Sequence, residues 1–169
     1  TTIPPTNKFD AELPLPANLD FSIAYQATDK LLLAFELDWV MWGVYESLEF
    51  TFEEQGALLN SSNPRNYEDS FIPRIGAQYA LNDKFNLRAG LYYDQSPTNE
   101  DYFTPETVSL NTFAYTLGLS FMPTEKLSID VSFLQLFGQK SEKAYTPDNF
   151  SGTYQAITYI PGIGVSYKF

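Results

Sequence analysis

Side-chain catalysis needs a base, a nucleophile or a metal ligand, and this sequence is short of all three. It contains no His and no Cys, which removes the commonest general base, the commonest metal ligand and the thiolate. A disulfide framework is equally impossible. The carboxylates that stand in pairs, Glu53-Glu54 and Glu100-Asp101, fall in polar stretches with no nucleophile and base beside them. A Ser nucleophile would lack its histidine. The sequence therefore points to no enzyme, no cofactor and no metal site. The net charge of −11 also speaks against nucleic acid, whose binding rests on basic patches.

What remains is charge and apolar surface sorted by alternation. After a polar turn at Asp29-Lys30, Leu31, Leu33, Phe35, Leu37 and Trp39 alternate with Ala34, Glu36 and Asp38. The same pattern follows Lys84, where Phe85, Leu87, Ala89, Leu91 and Tyr93 oppose Asn86, Arg88, Gly90, Tyr92 and Asp94. It follows Lys126, where Leu127, Ile129, Val131 and Phe133 oppose Ser128, Asp130 and Ser132. Period-2 alternation is the mark of a strand with two different faces. Aromatics make up 17% of residues while mean hydropathy is only −0.23, which suits strands facing two solvents. No run approaches the ~18 apolar residues of a membrane helix, so a membrane would be crossed by strands.

The turns supply the topology. Tyr25-Gln-Ala-Thr-Asp-Lys-Leu31, Tyr79-Ala-Leu-Asn-Asp-Lys-Phe85 and Phe121-Met-Pro-Thr-Glu-Lys-Leu127 are variations on one tight hairpin. Between them lie long polar connections at about 53–70, 95–111 and 138–153. Short turns on one side and long loops on the other is the outer-membrane barrel pattern, with the short turns periplasmic and the long loops extracellular. The expected strands are 18–28, 31–52, 70–81, 85–95, 112–122, 127–137 and 153–169, the second bent near Trp42-Gly43. The Pro-rich residues 1–17 read as a loop on the extracellular side. The fold class is thus all-β, an antiparallel transmembrane barrel of about seven strands. Single-chain bacterial barrels have even strand counts, so residues 18–169 read as half of one. Ile163, Val165, Tyr167 and Phe169 share one face of the last strand, and this terminus is similar to the C-terminal signal for barrel assembly. It would end in the periplasm.

Two residue sets face inward by parity. Glu36, Asp38, Arg74, Gln78, Arg88 and Asp130 form a polar lumen network. Val40, Trp42, Ile72, Tyr92, Leu134 and Ile160 lie nearer the long loops and could line a hydrophobic substrate or contact a plug. The acidic loop residues, among them Glu68, Asp69 and Glu106, could bridge lipopolysaccharide through divalent cations or simply be solvated.

The order of these segments resembles the C-terminal half of FadL-type long-chain fatty acid transporters of Gram-negative outer membranes. The pieces that carry the resemblance are Leu13-Pro14 or Leu15-Pro16, Trp39 to Trp42, and Asp69-Ser-Phe-Ile-Pro-Arg-Ile-Gly-Ala-Gln-Tyr79. Leu87-Arg-Ala-Gly-Leu-Tyr-Tyr-Asp-Gln-Ser-Pro97 is the most specific, and Thr112 to Phe137 and Phe169 continue the match. The resemblance implies a 14-stranded barrel with an N-terminal hatch, passive uptake of hydrophobic molecules such as long-chain fatty acids, and a basic loop residue on the substrate carboxylate. Arg65 is the nearest candidate for that residue. Expected partners are a hydrophobic ligand, outer-membrane lipid and lipopolysaccharide, the N-terminal half of the barrel as missing residues or a second chain, and other outer-membrane proteins. Two alternatives remain. One is a FadL-like barrel that binds protein as an adaptor in a secretion or surface complex. The other is a small eight-stranded barrel made by splitting 31–52.

Overall fold

Three tight turns organise the sheet, and the same position makes each of them. Thr28 Oγ1 accepts the N–H groups of Lys30 and Leu31 at 3.2 and 3.0 Å. Asn82 Oδ1 does so for Lys84 and Phe85 at 2.9 and 3.1 Å. Thr124 Oγ1 does so for Lys126 and Leu127 at 3.3 and 3.2 Å. Short polar side chains that cap the backbone ahead of them favour a turn over further strand.

The structure, a computed structural model, describes residues 7–54, 56–104 and 108–169; Glu106 lies outside them. In chain order the strands are β1 (Phe9–Glu12), β2 (Asn18–Gln26), β3 (Leu31–Val40), β4 (Ser47–Phe52), β5 (Ser61–Pro64), β6 (Ser70–Asn82), β7 (Phe85–Asp94), β8 (Thr112–Thr124), β9 (Leu127–Gly138), β10 (Ser141–Tyr145), β11 (Phe150–Tyr154) and β12 (Ile157–Tyr167). Among the described residues, seven form one antiparallel sheet in the order β12-β9-β8-β7-β6-β3-β2. Its middle strands run 10–13 residues, enough to cross a membrane at a tilt, which takes about 9–11. The outermost strands, β2 and β12, are not neighbours of each other. β12 contains Pro161, which an edge strand tolerates.

Cross-strand register sorts the side chains. One face carries Leu33, Phe35, Ile75, Leu87, Leu91, Leu117, Val131 and Ile163, all apolar and all exposed. On it, at the long-loop end, Trp39 stands beside Phe71, and Tyr93, Phe113 and Phe137 stand side by side. Trp39 stacks on Phe71 at 6.0 Å. Near the short turns a second group contains Tyr79, Phe85, Phe121 and Tyr167, with Phe85 stacked on Phe121 at 4.9 Å. Along β7 the two groups are separated by about 26 Å, at ~3.3 Å per residue, which a strand tilt of about 40° reduces to a height of about 20 Å. Two aromatic girdles bounding an apolar band of about this height are what a bilayer demands of a barrel wall. Gln135 also lies on this face and is satisfied by the Tyr115 hydroxyl.

The expected strand 31–52 is not one bent strand. β3 stops at Val40, a 3-10 turn follows at Trp42–Val44, and β4 leaves the large sheet altogether. Asp69 makes the break: its carboxylate accepts the Trp39 indole N–H at 3.0 Å and the Gly43 N–H at 2.9 Å. β4 instead pairs with β1 and β5 in a three-stranded sheet. Residues 1–17 are therefore not wholly a loop. Phe9 packs on Phe50 and Phe52 with ring centroids 5.8 and 5.5 Å apart, which gives β1 its partner. The segment 153–169 is likewise divided, since β11 pairs with β10 in a hairpin and the wall resumes at Ile157. Because β4 and β11 lie outside the wall, the count of seven wall strands is unchanged.

Apart from Val40 and Ala114 in the wall, the buried apolar residues among those described sit in the long connections. Phe103 is 1% exposed and packs on Tyr154 at 4.6 Å. Tyr45, Leu110 and Tyr145 are buried nearby in sequence-distant loops. The Glu68 N–H donates to Pro97 O, and the Phe103 N–H to Ala144 O. The connections thus brace one another into a packed assembly at one end of the sheet.

Candidate functional site

The second face of the sheet carries the polar residues, and register brings them together. β3 places Glu36 and Asp38 on this face, two residues apart. β6 sets Arg74 directly opposite Glu36, and β7 sets Tyr92 directly opposite Arg74. Arg74 bonds both carboxylates, and its guanidinium lies 5.8 Å from the centroid of the Tyr92 ring. A second cluster lies nearer the short turns. Arg88 Nε donates to Gln78 Oε1 at 2.8 Å, and an Arg88 terminal nitrogen donates to Ser120 Oγ at 2.6 Å. That nitrogen lies 3.6 Å from Asp130 Oδ1. Asp130 also accepts from the hydroxyls of Ser120 and, at 3.1 Å, Ser128. All six expected members of the polar network therefore belong to two bonded groups.

Between the clusters the face is nearly bare of side chains. Ala24, Ala34, Gly76 and Gly90 follow one another across four neighbouring strands, and Thr116 is next. Gly90 has no room to be larger: a Cβ there would lie 2.8 Å from Thr116 Oγ1 and 3.2 Å from Ile75 O. The result is a trough of about 630 Å³ whose ends are marked by Arg74 and Arg88. On the same face, Val40 and Ile72 lie at the long-loop end, and Leu134 and Ile160 continue the row beyond Thr116. Such a surface offers a mostly apolar seat with a few fixed polar groups, the usual composition of a small-molecule site.

A family model described as outer membrane protein transport protein (OMPP1/FadL/TodX) matches residues 5–169. The chain belongs to this family. It is a family of outer-membrane transport proteins and not of enzymes. Outer membrane protein P1 of Haemophilus influenzae is 28% identical over 96% of this chain. Alkane uptake protein A of Marinobacter nauticus is 28% identical over 64% of it. The crystal structure of a Pseudomonas aeruginosa FadL homologue superposes with a TM-score of 0.78 at 21% identity, covering 94% of this chain. The chain spans only 37% of the Haemophilus protein and 37% of the Pseudomonas structure. It is thus a partial barrel of the FadL/TodX type.

Other expected site residues fall elsewhere. Trp42 is not on a strand; it sits in the 3-10 turn, edge-on to Tyr67 at 5.7 Å. Arg65 is 8% exposed and donates to Thr104 Oγ1 at 2.7 Å within the loop assembly. Tyr167 and Phe169 meet edge to face at 5.4 Å, and Phe169 is fully exposed at the end of the apolar face. The sequence analysis put Ser128, Ala34 and Gly90 on the polar face without giving them a part in the site, and it missed Ser120 and the Ala24–Ala34–Gly76–Gly90 row. Counting outward from the tight turns would have found Ser120, since residues equidistant from a hairpin turn lie opposite each other.

Proposed function

We propose that this chain forms about half the wall of an outer-membrane channel that takes up hydrophobic molecules passively. The trough between the Arg74 and Arg88 clusters carries this reading, because it joins an apolar floor to the inward apolar residues at the long-loop end. In this reading the apolar face meets lipid and the polar face meets the lumen. The long loops and the packed assembly they form are extracellular, and Phe169 is periplasmic. Val40, Ile72, Tyr92, Leu134 and Ile160 guide the cargo toward the trough. Trp42 and Arg65 support the mouth from within the loop assembly. Glu36, Asp38, Arg74, Gln78, Arg88 and Asp130 hold the wall open around it. Ile163, Val165, Tyr167 and Phe169 serve as the assembly signal.

The edges of β2 and β12 need partners, because an open strand edge in lipid leaves backbone groups unpaired at several kcal/mol each. We assign that role to further strands from the remainder of the same protein or from a second chain. Uptake by cells lacking the gene tests the proposal. Complementation with the full-length gene is expected to restore uptake of hydrophobic compounds, and unchanged uptake contradicts the proposal.

A further inference from the structure

Charge is distributed along this channel in a graded way. The long connections (1–17, 41–69, 95–111 and 139–156) hold thirteen carboxylates and four cations, a net −9. The residues of the polar face include five carboxylates (Asp20, Glu36, Asp38, Asp94 and Asp130) and two arginines, a net −3. The short-turn side carries three carboxylates and four lysines, a net +1. These values account for the whole chain's −11.

Two of the four cations at the mouth and both in the wall are engaged, while Lys8 and Lys140 are exposed. Arg65 and Lys143 are each 8% exposed; Arg65 is bonded to Thr104 and Lys143 to Glu100. Arg74 is bonded to two carboxylates, and Arg88 lies beside Asp130. An anion arriving from the long-loop side meets net negative charge at the mouth and again in the wall. Clefts lined by one sign of charge focus the field and repel ions of that sign. A neutral molecule meets only the apolar trough. A cation gains at the mouth but finds the carboxylates Glu36, Asp38 and Asp130 already bonded.

We infer that this half of the barrel selects neutral, hydrocarbon-like cargo and excludes ionised carboxylates. This inference rests on the proposed uptake function and narrows the cargo that function acts on. The fatty acid anion that the family resemblance implies is the species this charge arrangement disfavours.

The test compares a matched pair of probes. Cells lacking the gene are complemented with the full-length gene, and uptake of labelled decane and labelled decanoate is measured near neutral pH at low ionic strength. Decane uptake is expected to rise about tenfold while decanoate uptake stays within about twofold. The variant Glu53→Lys/Glu54→Lys/Glu142→Lys changes three exposed loop carboxylates and takes the mouth from −9 to −3. It is expected to raise decanoate uptake by about threefold or more and to leave decane unchanged. Added salt should raise decanoate uptake in the parent protein and not in the variant, since screening acts on exposed charge. Decanoate uptake equal to or above decane uptake in the parent overturns the selectivity and leaves the channel intact. If neither probe is taken up, the uptake function itself fails, and the selectivity with it.

Discussion

Replacing Arg74 by Met removes the cation that joins two strands across the polar face. In the parent, one guanidinium nitrogen bonds both Glu36 and Asp38, whose side chains are 41% and 12% exposed; Arg74 itself is 38% exposed. Removing one partner of a fully buried pair costs about 3–5 kcal/mol, whereas an exposed pair is worth about 0–1. Arg74 lies between these limits, with Asp38 the more sheltered acceptor. The expected loss is about 1–3 kcal/mol, mostly the cost of leaving Asp38 charged and unpaired. The triple variant Arg74→Met/Glu36→Gln/Asp38→Asn removes that cost and is expected to recover at least half of the loss. The assay is urea unfolding of the complete barrel in vesicles, read as a midpoint shift at constant m-value. A single-variant loss below about 0.5 kcal/mol, or a triple variant no more stable than the single, refutes this account of the cluster.

Asp69→Ala should free the end of β3, because it removes the acceptor of both the Trp39 indole and Gly43; a loss of about 1–3 kcal/mol is expected, with a shift in tryptophan emission from the two Trp residues nearby. Phe103→Ala should open the loop assembly, since a buried Phe is worth about 3–5 kcal/mol. Proteolysis within 95–111 and 139–156 is expected to rise while exchange in the wall strands is unchanged. Phe169→Ala removes a fully exposed ring and should lower the amount of protein reaching the outer membrane without altering the stability of what assembles.

The wall was legible because each rule behind it is local. Thr28, Asn82 and Thr124 set three turns, and alternation outward from each assigns the faces of Glu36, Arg88 and Asp130 without long-range information. The loop assembly was not legible. β1 depends on Phe9 meeting Phe50 and Phe52 some forty residues away, and the end of β3 depends on Asp69, which local spacing does not link to Trp39. The trough was hidden for a different reason: Ala24, Ala34, Gly76 and Gly90 act by what they lack. Their significance appears only when register brings four small residues from four strands into one row. Arg65 shows the converse, because its residue type suits a carboxylate ligand, yet packing encloses it against Thr104.

The most direct test of the account asks which face meets water and whether cargo covers it. These 169 residues contain no Cys, so once any Cys elsewhere in the complete barrel is replaced by Ser, Ala34→Cys in the trough and Ala77→Cys on the apolar face can each be placed singly. Reaction with a charged, membrane-impermeant thiol reagent is then timed with and without saturating decane. The account predicts that Ala34→Cys reacts readily and is slowed about tenfold by decane, while Ala77→Cys stays unreactive in lipid. Ready reaction at Ala77→Cys, or a rate at Ala34→Cys that decane leaves unchanged, would contradict it.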